Sequence, residues 1–216
     1  MYTYKITRSE NILNDEKKPL VMHDQYLKII SRSFGHELFF LKQEKEGKIT
    51  LVIPFFIIKK RIISMPYDAS YGGAITLEQQ NGSNENKSIY EELIQYAIKY
   101  NIKTIEVRLK NSESILDELG FHKQNDLALS IIDLNNNKSD RSDIKKRYTY
   151  SYAKRNHMVC ELAQDISEMK CFYHLMSINM RNYGTPMYPY KYFKMLWNQY
   201  HNSKNVILLK ISIDNH

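Results

Sequence analysis

Cysteine is scarce in this chain of 216 residues: Cys160 and Cys171 are the whole complement. Two thiols are too few for a disulfide scaffold, and the expectation is a pair of reduced side chains packed as small hydrophobes. Seven glycines and five prolines exclude a collagenous or linker-dominated chain. Long apolar runs are also missing. The longest, Leu51-Val-Ile-Pro-Phe-Phe-Ile-Ile58, falls far short of the roughly 20 residues of a membrane-spanning helix. Residues Met1 to Glu10 contain no apolar segment of the kind that opens a secretory signal, so a cytoplasmic location is expected. The histidines, His23, His36, His122, His157, His174, His201 and His216, form no pair three or four residues apart. Zinc-ligand spacing is therefore absent, and no metal is expected.

What is present is an ordinary globular composition, 43% hydrophobic and 25% charged, with a formal charge of +7 and 17 tyrosines. The positive excess makes an anionic partner plausible without saying anything of the fold. It is concentrated in one place. Arg141, Lys145, Lys146, Arg147, Lys154 and Arg155 face a single acid, Asp143, between Arg141 and Asn156. Two readings are open. Tyr148, Tyr150 and Tyr152 among these cations suit phosphate binding and base stacking. Equally, Ile144, Tyr148 and Tyr152 recur every four residues, one buried stripe of a helix whose cations face water.

The pattern along the chain is mixed. Leu20–Ser33 has helical spacing and stops at Phe34-Gly35. His36–Lys42 and Lys48–Lys59 are β-branched and aromatic, joined through Glu44–Gly47 by a longer Gly-containing turn. Arg61–Met65 is a third strand, ending at Pro66 before a loop and a short strand near Ile75. A polar loop over Glu78–Lys87 leads to a helix at Ser88–Tyr100, with Ser88 as N-cap. Then come a strand at Lys103–Leu109, a short helix at Ser112–Leu119 capped by Gly120, and a strand at Leu127–Leu134. The core is expected to include Leu51, Ile53, Phe55, Ile57, Ile105, Val107, Leu129 and Ile131. After Asn135–Ser139 follow the basic helix, a strand at Met158–Ala163, helices at Ser167–Arg181 and up to Tyr200, and a strand at Asn205–Ile213. Helices interspersed with hairpins predict an α+β protein.

Certain residues carry a family likeness. Tyr71-Gly-Gly73 after Ser64-Met-Pro66 resembles a segment of the FemAB-like proteins. These are tandem GNAT-fold acyltransferases that include the aminoacyl-tRNA-dependent transferases of peptidoglycan bridges. The basic helix with Asn156 is similar to the helix that opens that family's second half. The run from Phe172-Tyr173 through Met180-Arg-Asn-Tyr-Gly-Thr-Pro-Met-Tyr-Pro to Phe193 resembles its most specific signature. The resemblance implies a GNAT-like domain at 1–138, a basic linker helix at 139–157, and the N-terminal part of a second GNAT-like domain at 158–216. The chain is thus expected to be a shortened form or an N-terminal portion.

The resemblance also implies a donor co-substrate, acyl-CoA or aminoacyl-tRNA, and no cofactor held by this chain. The loop Gln79–Glu85 has one glycine and no basic residue. It is a poor cradle for a coenzyme A pyrophosphate, which needs backbone amides at a helix start. Arg181 matches an arginine that contacts the diphosphate of a nucleotide-linked acceptor in Fem-type ligases. It also reads as a cation at a helix C-terminus. Gly72, Gly73, Gly184 and Pro186 are expected to set backbone geometry. Asp68 is the carboxylate candidate for deprotonating an attacking amine, against a plain turn role. Tyr67, Tyr71, Tyr183 and Tyr188 are candidates to line an acceptor cleft.

The leading expectation is a FemAB-like acyl- or aminoacyl-transferase acting on an amine, in cell-envelope or polysaccharide chemistry. A non-catalytic module binding an anion such as tRNA and a stand-alone acetyl-CoA-dependent N-acetyltransferase are the alternatives. Expected partners are an anionic precursor acceptor and aminoacyl-tRNA, with peripheral membrane association left open and DNA not expected.

Overall fold

The computed structural model describes residues 2–8, 12–13, 20–67, 72–77, 84–109, 114–124 and 148–213. The chain divides into two units, Met1–Lys123 and Gln124–His216. The expected boundary at 138, the strand Leu127–Leu134 with Leu129 and Ile131, and residues 141–147 of the basic helix lie outside the described residues.

Among the described residues the first unit holds strands β1 (Tyr2–Thr7), β2 (Glu37–Lys45), β3 (Lys48–Ile58), β4 (Arg61–Ile63), β5 (Ile75–Thr76) and β6 (Thr104–Glu106). They form one mixed sheet in the order β1-β2-β3-β4-β6, with β5 also paired to β3. Every pairing is antiparallel except β4 with β6. That parallel pair is separated in sequence by helix α2 (Asn84–Lys99), as a crossover connection requires. The remaining helices of this unit are α1 (Asp24–Phe34) and the short α3 (Ser114–Glu118).

The unbroken apolar run of β3 has a physical reason. Phe39, Leu41, Leu51, Ile53 and Phe55 share one face and pack with Ile89, Tyr90, Leu93 and Ala97 of α2. Phe40, Val52 and Phe56 alternate with them and are also buried, and α1 contacts β2. A sheet covered on both faces reads as a hydrophobic run rather than an alternation. Each fully buried side chain of this size contributes about 1.5–3 kcal/mol. Pro54 is tolerated inside β3 because the pairing with β5 ends at Val52 and that with β4 starts at Phe56. Ile57, Ile105 and Val107 pack partly buried against this core.

Several local expectations are corrected. Lys45 pairs with Lys48, so the β2–β3 hairpin turns on two residues, not on the longer loop expected. Ile58 pairs with Arg61 in the same way. Glu46, Gly47, Lys59 and Lys60 all have positive φ, the type I′ pattern whose twist matches a hairpin. Leu20–Met22 is a 3-10 turn, and α1 starts only at Asp24. The buried Asp24 carboxylate accepts from Ile12 N–H (2.6 Å) and Leu13 N–H (3.2 Å), tying that segment to the helix start. Helix α2 begins at Asn84, four residues before Ser88. The Ser88 hydroxyl instead donates to Gln43 Oε1 at 3.4 Å. Strand β1, with no counterpart in the sequence expectations, pairs along β2 from Tyr2↔Lys45 to Thr7↔Phe40.

The second unit contains α4 (Tyr148–Arg155), β7 (Met158–Leu162), α5 (Ile166–Asn182), α6 (Tyr190–Tyr200) and β8 (Leu209–Ile213). Asp165 and Glu168 form a capping box on α5, a D-x-x-E pattern visible in the sequence. Strands β7 and β8 pair antiparallel. Directly opposed residues share a face, so Met158, Cys160, Leu162, Leu209, Ile211 and Ile213 lie on one side. The other side carries Glu161 and Lys210, and Lys210 reaches Glu168 of α5 at 2.6 Å. Core formation occurs on this second side, where Leu208 packs with Ala163, Met169 and Trp197. Cys160 on that first side, and Cys171 on α5, are exposed free thiols, not packed hydrophobes. Tyr152 is 45% exposed, so the expected buried stripe of the basic helix does not extend to it.

Candidate functional site

Two places hold the residues of interest, one in each unit. In the first, β4 runs into Ser64-Met65-Pro66-Tyr67. The buried Ser64 donates its N–H to the Glu106 carbonyl (2.9 Å), and its hydroxyl accepts from Arg108 N–H (3.1 Å). Glu106 bridges two guanidiniums, Arg61 at 3.0 Å and Arg108 at 2.9 Å. Arg108 Nη1 in turn donates to the Tyr67 carbonyl at 3.1 Å. These groups are partly exposed, so the network acts through orientation more than through ion-pair energy. It holds Tyr67 at φ 63°, a left-handed conformation uncommon for a bulky residue.

The Tyr67 ring stacks on Phe34 with centroids 3.8 Å apart and planes 15° apart. Its hydroxyl forms a hydrogen bond with His36 Nε2. Gly35, at φ 70°, ends α1 and turns the chain so that Phe34 and His36 both face Tyr67. Burial lowers the His36 pKa and raises that of Tyr67. Both shifts favour the neutral forms, an imidazole and a phenol sharing a hydrogen bond at neutral pH. Asp68 and Tyr71 lie outside the described residues.

Gly72 and Gly73 pass through a space with no room for a side chain. A Cβ on Gly72 would stand 2.2 Å from Met65 Cγ; one on Gly73 would stand 2.5 Å from Leu109 Cδ2 and 2.9 Å from Tyr90 Oη. Gly73 also has φ +96°, and the Tyr90 hydroxyl accepts from Ala74 N–H at 3.0 Å. Close backbone approach, more than loop flexibility, accounts for glycine at both positions.

In the second unit, Arg181 lies in the last turn of α5, exposed, with no carboxylate paired to it among the described residues. The next residues stop the helix. Thr185 N–H bonds to Met180 O and Gly184 N–H to Arg181 O, both at 3.0 Å, with Gly184 at φ 66°. This is a Schellman motif with glycine at its left-handed position, followed by Pro186. Pro189 then caps the start of α6. Tyr188 packs edge-on against Tyr192 (5.7 Å), while Tyr183 is 72% exposed. The turn thus presents Arg181 and Tyr183 to solvent on a backbone fixed at both ends.

The sequence reading missed His36, Phe34 and Arg108. No motif marks them; only the fold brings α1's end and the segment after β6 to Tyr67. The available signal was Phe34-Gly-His36, two rings separated by a helix-stopping glycine. Among the described residues no cluster of three or more metal-ligating side chains occurs, and no helix is long and apolar enough to cross a membrane.

No protein-family model and no curated protein matches the chain. A solved structure does: the crystal structure of FemX, at 16% identity and a TM-score of 0.53, over 91% of this chain and 53% of that one. The chain therefore spans about half the length of FemX. At this identity the likeness concerns the fold alone: the mixed α+β fold is similar to that of FemX.

Proposed function

We propose that this chain takes part in acyl or aminoacyl transfer to an amine, in the manner of the FemAB-like, GNAT-fold enzymes of peptidoglycan-bridge chemistry. The observation that carries the reading is the FemX-like fold over 91% of the chain. The Arg181–Pro186 turn supports it, because the family-like signature there has a defined geometry. In the reaction, the acceptor amine attacks the ester carbonyl of an aminoacyl-tRNA, or the thioester carbonyl of an acyl-CoA. A C–N bond forms, and the tetrahedral intermediate expels the ribose hydroxyl or the thiol. Orientation and oxyanion stabilisation supply most of the rate.

Three groups have roles in this reading. In the second unit, taken by itself, Arg181 offers its planar fork to the phosphates of an anionic ligand. The neutral His36–Tyr67 pair takes the amine proton, with Tyr67 relaying it to the imidazole. Asp68, next in sequence, remains an alternative base. The test is incubation with a nucleoside-diphosphate-linked peptidoglycan precursor and labelled aminoacyl-tRNA or acyl-CoA, followed by mass analysis of the precursor. An amide-linked mass increment that falls about a hundredfold in His36→Gln supports the reading. Precursor left unmodified by a chain that nonetheless binds tRNA would favour a non-catalytic binding module.

A further inference from the structure

The first unit carries a concavity whose lining includes neither Tyr67 nor Gly72–Gly73. It is a cleft of about 520 Å³ at the C-terminal end of α2, within the size range of small-ligand sites. Ile6, Phe39, Ile57 and Ile102 supply apolar surface. Tyr96 and Tyr100, with ring centroids 4.5 Å apart, form an aromatic wall. The polar groups are unevenly committed. Arg8 is paired with Glu37 at 2.8 Å and also lies over the Phe39 ring. Lys60 lines the same cleft and has no ion pair among the described residues.

Local backbone chemistry builds this arrangement. Helix α2 ends in a Schellman motif, with Asn101 at φ 51° in the left-handed position. Ile102 N–H bonds to Ala97 O (2.8 Å) and Asn101 N–H to Ile98 O (3.1 Å). The motif turns Ile102 into the cleft and satisfies carbonyls that would otherwise repel an anion. The β3–β4 turn is fixed to the far side by Lys103 N–H on Lys60 O at 2.8 Å, which sets the position of Lys60. An open cleft of mixed polarity, with an aromatic wall and a lysine without an ion pair among the described residues, has a definite complement.

We propose that this cleft binds a small amphipathic anion: a flat or branched apolar body bearing one carboxylate. The body lies between the isoleucines and the tyrosine wall, and the carboxylate meets the Lys60 ammonium. The Arg8–Glu37 pair forms a neutral rim that excludes a second charge. Site and ligand class are independent of the transferase reading, so either stands if the other falls.

The experiment is isotope-labelled isoleucine methyl NMR on the full chain, titrated with 2-naphthoate and, separately, with uncharged 2-naphthalenemethanol. The expected result is saturable shifts at Ile6, Ile57 and Ile102, with the naphthoate bound more tightly than the alcohol. Lys60→Gly should weaken naphthoate binding about three- to fivefold, as loss of a partly exposed charge contact does. It should leave the alcohol unaffected. Because Lys60 sits at φ 62°, glycine removes the ammonium without straining the turn. Tyr100→Ala should weaken both ligands. Shifts centred instead on Ile207, Ile211 and Ile213, equal binding of the two ligands, or naphthoate binding unchanged in Lys60→Gly would each overturn the proposal.

Discussion

At the scale of single residues, the sharpest contrast lies between glycines. Gly73→Ala places a Cβ against Leu109 and Tyr90 at a positive φ, and is expected to cost about 2–3 kcal/mol in urea denaturation. Gly184→Ala meets nothing within 4 Å and pays only for the left-handed backbone, about 1 kcal/mol. Equal costs would contradict the close-approach reading of Gly73. Ionisable groups give opposite pH signatures in the two units. Burial raises the Asp24 carboxyl, despite its bonds from Ile12 and Leu13 and the nearby Lys28 and His23. A raised folded pKa means that its contribution is full below the ordinary aspartate range and is lost as pH rises through the folded value. Glu168 is lowered, first by its hydrogen bond from Lys210 and then by Gln164 and Asp165 N–H. Its contribution is present above the ordinary glutamate range and is lost as pH falls through the folded value. Denaturation from about pH 4 to about pH 7 should therefore show Asp24→Asn gaining on the parent chain as pH rises. The deficit of Glu168→Gln should shrink on acidification. Residue-level legibility follows from range. Gly184 and Pro186 act within a few residues, so a helix stop was readable there. The Gly72 and Gly73 contacts come from Met65, Leu109 and Tyr90, and the partner of Tyr67 is His36 across the sheet; no local pattern announces such pairs.

At the scale of elements, the hairpin at Lys59-Lys60 stands out, because two lysines occupy positions that favour Asn-Gly. Lys59→Asn with Lys60→Gly is expected to stabilise the chain by about 1 kcal/mol, read as a higher denaturation midpoint at unchanged slope. Destabilisation would mean that the turn is not type I′. Strand β8 offers the complementary expectation. Ile211 is 68% exposed, so Ile211→Ser should shift stability by no more than about 0.5 kcal/mol. Ile53, fully buried in β3, should lose about 2–5 kcal/mol on conversion to alanine. The doubly covered β3 was legible because burial on both faces leaves an apolar run. Strand β1 was not. Its Tyr-Thr-Tyr-Lys-Ile-Thr alternation is half-buried at a sheet edge, a signal that pairing with β2 decides more than its own composition. The early start of α2 was hidden for a similar reason: Asn84–Lys87 has no apolar residue, and helical continuation there rests on the turn after it.

At the scale of the whole molecule, the α+β class was readable from elements of both periods, and the fold is similar to that of FemX. Residues far apart in sequence were recognisable there only because a short motif surrounded each one. The exposed position of Arg181 at a fixed helix end, compared with cations spread along the 141–155 segment, makes it the group with most to lose on substitution. Lys145 and Lys146 should contribute mainly to the salt dependence of anion binding. Titration with acetyl-CoA should give only weak, salt-sensitive heat, since Gln79–Glu85 lacks the composition of a pyrophosphate cradle. The most direct measurement is calorimetric titration of a nucleoside-diphosphate-linked peptidoglycan precursor into the chain and into Arg181→Lys. One-to-one binding weakened by about 1–3 kcal/mol in the variant is the expected result, because a lysine cannot replace a bidentate contact. Precursor binding unchanged in Arg181→Lys, or no binding of the precursor at all, would contradict it.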